Sequence, residues 1–156
     1  MCVGWQSKAH KITGVEFSQQ AAKEYFEMRG EIPFQSKEDA HICVSNGDLI
    51  NVQVGDFFAY QPSELFDAFY DRAALVAIAP DLRERYVQHL SRMMKPQSKG
   101  LLVSLEILDE SHQGPPFSVR KETVNRLFSQ YWDLEVLKNV SLTDKKREVV
   151  YQMIRR

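Results

Sequence analysis

Residues 11–21 read KITGVEFSQQA and predict a strand, an acid and a helix in immediate succession. Lys11 to Glu16 is rich in β-branched residues and alternates weakly in polarity, which is typical of a strand. Ser18 is a favoured helix N-cap residue, and Gly30 stands where a C′ glycine would end the helix. In nucleotide-binding α/β folds, an acid at such a strand end often holds a ribose.

Further strands and helices follow along the chain. An Asn-Gly turn at Ser45–Asp48 predicts a hairpin. The other predicted elements are strands at about Leu49–Val54, Phe66–Tyr70, Leu101–Asp109, Leu134–Val140 and Glu148–Ile154, helices at about Asp81–Met94 and Lys121–Tyr131, and a loop at Lys95–Gly100. Because strands alternate with helices before a final strand pair, we expect an α/β fold with a mostly parallel sheet and an antiparallel C-terminal edge strand.

Acids recur where these strands end. They are Glu16, Asp56 after Gly55, Asp71 before Arg72, and Asp109. Any one of them could simply terminate a strand or cap a helix. In open α/β sheets, however, ligands bind beyond the carboxyl ends of the strands, so four acids at one edge favour a binding site.

Composition limits the classes of protein to consider. The chain has 156 residues, 44% of them hydrophobic and 26% charged, so we expect one globular domain over residues 1–156. The net charge of −1 offers no field for nucleic acid or an anionic membrane. No run reaches the roughly 18 apolar residues of a membrane span, and no signal-peptide core is evident. With two cysteines, Cys2 and Cys43, and no CxxC pair, a reduced cytoplasmic protein is expected.

The histidines and aromatic residues give weaker signals. None of the four histidines has metal-ligand spacing to another histidine or a cysteine, so we predict no metal; they are His10, His41, His89 and His112. His112 precedes a Gly-Pro-Pro loop and is read as a solvated loop residue rather than one facing a substrate. An aromatic pocket is possible, although each member could equally belong to the core; the candidates are Trp5, Phe57, Phe58 and Phe117.

Four motifs carry a family resemblance. GVEFS, GDFF, YDRAALVAI and GPPFSV, in this order and spacing, resemble the thiopurine S-methyltransferase family from about Val3 to Leu137, with a looser match at the last strand. YDRAALVAI and GPPF are quite specific to that family. The resemblance implies the class I methyltransferase fold, S-adenosylmethionine as cofactor, a monomer, and methyl transfer to a small aromatic or heterocyclic thiol. Selenium or tellurium species are a second class of acceptor that it implies.

The resemblance also implies roles for particular residues. Glu16 matches the acid that holds the cofactor ribose, and Gly55 and Asp56 match the pair beside the adenine. Arg72 matches the arginine at the cofactor and acceptor pocket, where it would favour an anionic thiolate. The loop closing over the acceptor corresponds to Gly114–Phe117 and includes Pro115 and Pro116. No catalytic base is expected, because thiols of this type are partly ionised near neutral pH.

The chain departs from the family pattern at its start. The family has a first strand at the centre of the sheet and a Pro-Leu-Cys-Gly-Lys-type loop facing the methionine part of the cofactor. MCVGWQSKAH matches only the end of the following helix. We therefore expect the first strand to be missing, through truncation or in a shortened homologue without catalysis. The chain should then bind S-adenosylmethionine poorly and have reduced stability, with a gap in the sheet through which another chain could associate.

Two other functions stay open at this point. A non-catalytic homologue could pair with a partner through that gap. A nicotinamide-dinucleotide oxidoreductase would share the strand, acid and helix around Glu16, but a GxGxxG loop is absent and the YDRAALVAI motif argues against it.

Overall fold

A computed structural model describes residues 11–30, 43–46, 50–109 and 111–156. The chain divides into two compact units, Met1–Gln61 and Pro62–Arg156. The single domain expected over residues 1–156 stays a prediction.

The first unit contains a small mixed sheet and one helix. Its elements are β1 (Ile12–Glu16), α1 (Gln19–Glu27), β2 (Cys43–Asn46) and β3 (Ile50–Val54), followed by a 3-10 turn at Phe57–Ala59. The strand order is β1-β3-β2, with β1 parallel and β2 antiparallel to β3. The antiparallel pairing of β2 and β3 agrees with the predicted hairpin, whose Gly47–Leu49 turn lies outside the described residues.

Helix α1 begins and ends close to its predicted signals. The Ser18 side chain accepts a hydrogen bond from the backbone N–H of Ala21, as an N-cap residue should. Ala22 and Phe26, four residues apart, are the buried positions of the helix. Gly30 has a φ of +68°, two residues after the C-cap Met28 and thus one position later than predicted.

The second unit is a four-stranded sheet with helices between its strands. Its elements are β4 (Phe66–Arg72), α2 (Ala74–Ala77), a 3-10 turn (Pro80–Leu82), α3 (Arg83–Arg92), β5 (Met94–Ile107), α4 (Lys121–Phe128), β6 (Trp132–Thr143) and β7 (Lys146–Arg155). The strand order is β4-β5-β7-β6; β4 and β5 are parallel and the other two pairings are antiparallel. The described sheets therefore contain two parallel and three antiparallel pairings.

The C-terminal strand is antiparallel, as expected, but it does not form the edge. β7 lies between β5 and β6, so β6 is the edge strand. The burial of the two strands explains this order. Alternate residues of β7, namely Val149, Tyr151 and Met153, are buried, whereas most of β6 is exposed. A strand that buries every second side chain and pairs on both sides is interior.

The predicted loop at Lys95–Gly100 is wrong, because these residues belong to β5. Phe66 of β4 pairs with Met94 and Ala68 pairs with Lys99, so β5 advances five residues while β4 advances two. The three extra residues form an irregularity in which Gln97 has a φ of +61°. The polar residues of this irregularity look like a loop in the sequence.

The buried face of α3 also differs from the prediction. In the predicted helix at about Asp81–Met94, one face would contain Leu82, Tyr86, Leu90 and Met93, but Leu82 is 38% exposed and belongs to the preceding 3-10 turn. Arg83 is buried instead. The 3-10 turn changes the rotation of the chain before the helix starts, so the residue after Leu82 faces the core.

Candidate functional site

Two predicted cofactor-binding segments lie side by side in the first unit. β1 and β3 are parallel, and Glu16 is in register with Val54. The backbone N–H of Gly55 donates to the carbonyl oxygen of Glu16 at 2.9 Å. Glu16, Gly55 and Asp56 therefore lie at the carboxyl ends of adjacent strands.

The side chains of Glu16 and Asp56 are each oriented by a hydrogen bond from a backbone N–H group two residues later. Oε1 of Glu16 accepts from the N–H of Ser18 at 2.8 Å, and Oδ1 of Asp56 accepts from the N–H of Phe58 at 2.9 Å. The second carboxylate oxygen of each accepts no hydrogen bond from the described residues. Each side chain is thus held in place by one oxygen. The other oxygen could accept a hydrogen bond from a hydroxyl or amino group, which are the donors that a nucleoside offers.

Asp71, the strand-end acid of β4, is in a different environment. It is 3% exposed, and its Oδ1 accepts from the N–H groups of Ala74 and Leu75 at 3.1 and 3.3 Å. Its Oδ2 accepts from the hydroxyl of Tyr86 at 2.8 Å. Burial raises the pKa of Asp71 above its ordinary 3.8, although these hydrogen bonds act in the opposite direction. Burial, and then the charge of Asp71, raise the pKa of Tyr86 well above its ordinary value.

Arg72 follows directly but faces away from this buried cluster. Its side chain is 58% exposed and approaches Oε1 of Glu148 at 3.6 Å. Ala73 then takes a left-handed conformation, with a φ of 82°, before α2 begins. Left-handed backbone is unusual for alanine and is often found at functional sites. Asp71 and Arg72 are consecutive residues of β4, and successive side chains of a strand point to opposite faces, so one is buried and the other exposed.

The predicted acceptor loop, Gly114–Phe117, is attached to α2. The N–H of Phe117 donates to the carbonyl oxygen of Val76 at 2.7 Å. Gly114 has a φ of +68°, and a Cβ there would come within 2.5 Å of Cδ1 of Phe117. The peptide bonds before Pro115 and Pro116 are both cis. Within the second unit, α2 therefore joins the loop to the turn that carries Arg72.

Two further polar groups border this loop. His112 is exposed, and its Nε2 lies 2.7 Å from the carbonyl oxygen of Pro116. Asp109, the fourth strand-end acid, accepts from the side chain and backbone of Ser111 at 2.6 and 3.1 Å, and Lys145 lies 3.4 Å away. Hydrogen bonds from Ser111, followed by the charge of Lys145, hold the pKa of Asp109 below its ordinary value.

The sequence did not indicate the roles of Arg83, which contacts the acceptor loop, and of Tyr86, which donates to Asp71. Arg83 is 4% exposed, and its Cζ lies 5.8 Å from the centre of the Phe117 ring. Burial, and to a lesser degree the charge of Arg126, lower its pKa. A signal was present, because Arg83 stands three residues before Tyr86 and seven before Leu90, which is the spacing of one helix face.

Several features lie apart from the predicted residues. A cleft of about 500 Å³ opens beside α4 and contains none of them; its lining includes Glu106, Arg120, Val136 and Arg147. Phe57 and Phe58 pack edge to face with ring centres 5.8 Å apart, and Trp5 is outside the described residues. Where the structure describes the chain, no group of three histidine, cysteine or acidic side chains could hold a metal. No helix in the same residues has the length and apolar character that a membrane crossing requires.

Comparison with protein families finds one model that matches most of the chain. Residues 3–154 match the model described as thiopurine S-methyltransferase. A thiopurine S-methyltransferase of Pseudomonas fluorescens (strain SBW25) is 40% identical over 129 residues, which are 81% of this chain and 59% of that protein. One from Pseudomonas syringae pv. pisi is 39% identical over 136 residues, covering 85% of this chain and 62% of its own. The chain thus spans about 60% of the length of these two relatives.

Solved structures resemble the chain in fold. The N-methyltransferase NodS from Bradyrhizobium japonicum WM9, in complex with S-adenosyl-L-homocysteine, superimposes with a TM-score of 0.68 at 12% identity, covering 93% of this chain and 66% of that one. A SAM-dependent methyltransferase from Methanosarcina mazei gives a TM-score of 0.63 at 14% identity, covering 94% and 82%. These likenesses confirm the α/β class I methyltransferase fold that the sequence predicted.

Proposed function

Because the chain belongs to the thiopurine S-methyltransferase family, we propose that it functions in S-adenosylmethionine-dependent methylation of a small aromatic or heterocyclic thiol. The observation that carries this proposal is the adjacency of Glu16 and Gly55-Asp56, joined by the 2.9 Å hydrogen bond between their strands. Selenium and tellurium species are softer alternatives at the same acceptor site, and they rank behind thiols because no described residue is specific to them.

The proposed cofactor site consists of Glu16, Gly55 and Asp56. Glu16 would accept hydrogen bonds from the ribose hydroxyls through Oε2, since Oε1 is already held by Ser18. Asp56 would use its second oxygen beside the adenine, and Gly55 would let the backbone approach the flat ring. The bound cofactor supplies a methyl group on a positively charged sulfur, so the protein has to provide binding and orientation rather than strong activation.

The proposed acceptor site consists of Arg72, Pro115, Pro116 and Phe117. The exposed guanidinium of Arg72 would stabilise the thiolate, which is the nucleophilic form of a thiol. Because a bound thiolate would already have lost its proton, these residues would only have to hold the anion, and no protein base would be needed to remove a proton. The two prolines and Phe117 would cover the acceptor and exclude water.

Titration calorimetry with S-adenosylhomocysteine tests the cofactor site. In the chain, Glu16→Ala should weaken binding by roughly 2–4 kcal/mol, because two charge-assisted hydrogen bonds are lost. Glu27→Ala is the matched control, since Glu27 is an exposed acid of α1 that pairs with Lys23 at 3.6 Å. Equal affinities for the two variants would contradict the assignment of Glu16.

A chimera distinguishes weak cofactor binding by this chain from an incorrect assignment of the cofactor site. The N-terminal part of the Pseudomonas fluorescens relative, fused before residue 1, would supply whatever that relative contributes outside the matched region. If the chimera methylates 6-mercaptopurine and loses this activity with Glu16→Ala, the proposal holds even where the chain alone binds weakly. A chimera that binds cofactor equally well with and without Glu16 would contradict it.

A second candidate function is a non-catalytic partner that pairs with another chain. It is favoured by the positions of β1 and β4, each of which is an edge strand in its own sheet among the described residues. Edge strands expose unpaired backbone groups that a further strand can bind. Ultracentrifugation measures association of the chain with itself or with a partner. Association that occurs equally well without cofactor would favour this candidate over methyl transfer.

A further inference from the structure

Phe117 is held within the second unit by three contacts, one of its backbone and two of its ring. Its backbone N–H donates to the carbonyl oxygen of Val76 at 2.7 Å. Its ring lies so close to Gly114 that a Cβ there would meet Cδ1 at 2.5 Å and Cγ at 2.7 Å. The guanidinium of Arg83 lies over the ring, with 5.8 Å between Cζ and the ring centre. Of the three contacts, only that of Arg83 is made by a side chain.

Arg83 also bridges the two segments that meet at this loop. Its Nε donates to the carbonyl oxygen of Ile78, just after α2, at 3.2 Å. Its Nη1 lies 3.5 Å from the carbonyl oxygen of Ser118, just after Phe117. A planar guanidinium can reach two carbonyl groups and an aromatic face at once, which a lysine ammonium on a flexible stem cannot do.

The arrangement is not the best one for stability alone. Arg83 is 4% exposed, and its Nη2 is buried with no hydrogen-bond partner among the described residues. A buried donor without an acceptor carries a desolvation cost, which an apolar side chain of similar size would avoid. The contacts that Arg83 does make converge on Phe117 and its flanking carbonyl groups.

We propose that Arg83 is a positioning residue that fixes Phe117, and with it the acceptor loop, against the segment that follows α2. Its link to methyl transfer rests on the function proposed above. Arg83 does not touch the acceptor; it sets the orientation of the ring that would cover the acceptor. It should therefore affect acceptor binding and leave cofactor binding unchanged.

Hydrogen exchange measured by NMR tests the positioning directly. The variants are Arg83→Lys, which keeps the charge, and Arg83→Met, which keeps the length of the stem. We expect the Phe117 amide to exchange about tenfold faster in both variants, in keeping with the loss of a cation–π contact and a bridging donor. The Val119 amide, which donates to the carbonyl oxygen of Leu105 in β5 at 2.8 Å, should keep its protection.

Arg92 supplies the matched control. It is exposed on the same helix, α3, so Arg92→Lys and Arg92→Met make the same chemical changes away from the loop. Neither should alter the exchange of Phe117. Unchanged Phe117 exchange in both Arg83 variants would overturn the proposal. Equal acceleration at Phe117 and Val119 would also overturn it, because it would show general destabilisation.

Ligand titration tests the link to function. In the chain or the chimera, Arg83→Lys should weaken 6-mercaptopurine binding about tenfold and change S-adenosylhomocysteine binding by less than about twofold. A parallel loss of both affinities would overturn the acceptor-specific role. If neither the chain nor the chimera binds either molecule, the proposed function fails, and the exchange of Phe117 still decides whether Arg83 positions the loop.

Discussion

Glu16 and Asp71 occupy similar places in the chain and have opposite environments. Glu16 is the last residue of β1 and Asp71 is the second-last residue of β4, and each strand is the first of a parallel pair and is followed by a helix. Glu16 holds one backbone N–H and keeps one oxygen without a donor from the described residues. Asp71 is buried, and both of its oxygens are already occupied by Ala74, Leu75 and Tyr86. An acid at a strand end is therefore a binding candidate only when its oxygens are not already used by the fold.

The largest expected effect on stability comes from removing Asp71, the acid whose two oxygens both accept hydrogen bonds within the fold. Asp71→Ala removes the carboxylate that accepts from the Tyr86 hydroxyl and from the N–H groups of Ala74 and Leu75. Each of these three hydrogen bonds contributes about 1–3 kcal/mol, so we expect a loss of at least about 3 kcal/mol in the free energy of unfolding. Urea denaturation measures it. Glu16→Ala should change stability by less than about 1 kcal/mol, and equal losses would remove the distinction between the two acids.

A smaller effect should follow from removing the hydroxyl that completes the Asp71 cluster. Tyr86→Phe keeps the buried ring and takes one donor from Oδ2 of Asp71. Hydrogen bonds to charged groups contribute about 1.5–3 kcal/mol, and we expect a loss in that range in the same urea experiment. Tyr25→Phe is the control, because the contacts of Tyr25 with Phe26 and Arg29 are made by its ring. A Tyr86→Phe protein as stable as the control would show that the hydroxyl contributes nothing.

The pH dependence of stability sharpens the comparison further. Because burial raises the folded pKa of Asp71, the folded chain retains a proton between pH 3.8 and the raised value, where the unfolded chain has released it. The contribution of Asp71 to stability is thus fully present below pH 3.8 and declines as pH rises through this window, by at most about 1.4 kcal/mol per pH unit.

Asp71→Asn removes this titration and is the variant to compare with the wild type. The free energy of unfolding of the wild type, relative to Asp71→Asn, should fall as pH increases from about 4 towards neutrality. Urea melts at a series of pH values measure the difference. A difference that is constant with pH, or that grows as pH rises, would contradict a raised pKa for Asp71.

The sequence predicted the elements that depend on local pattern. The strand before Glu16 and its parallel neighbour before Gly55 follow from β-branched residues, an N-cap serine and a hairpin turn, and the adjacency of the two strand ends follows from parallel pairing. It failed where tertiary contacts decide. Lys95–Gly100 resembles a loop, yet it forms the irregular start of β5, and Gly100 is required there because a Cβ would lie 2.1 Å from the Phe69 ring.

The residues of the candidate site could likewise be predicted only in part from the sequence. The identity of Glu16, Asp56 and Arg72 as strand-end residues could be predicted, because strand ends are marked in the sequence. Whether an acid is exposed or buried could not, since the partner of Asp71 is Tyr86, fifteen residues later. Arg83 was missed because arginine is usually exposed, and its burial depends on the loop that packs over it.

Replacing Arg72 should have the smallest effect on stability. Because Arg72 follows Asp71 directly in the chain, the two residues can be compared within one strand. Its ion pair with Glu148 joins side chains that are 58% and 26% exposed across 3.6 Å, and such surface pairs contribute about 0–1 kcal/mol. Arg72→Ala should therefore change the free energy of unfolding by less than about 1 kcal/mol, whereas its neighbour Asp71 should cost several times more. Under the proposed function, the same variant should weaken binding of 6-mercaptopurine at a pH where the thiolate is present, and Arg92→Ala should not. If Arg72→Ala unfolds the protein as readily as Asp71→Ala, then both residues of this turn serve the fold, and the acceptor site has to be sought elsewhere in the second unit.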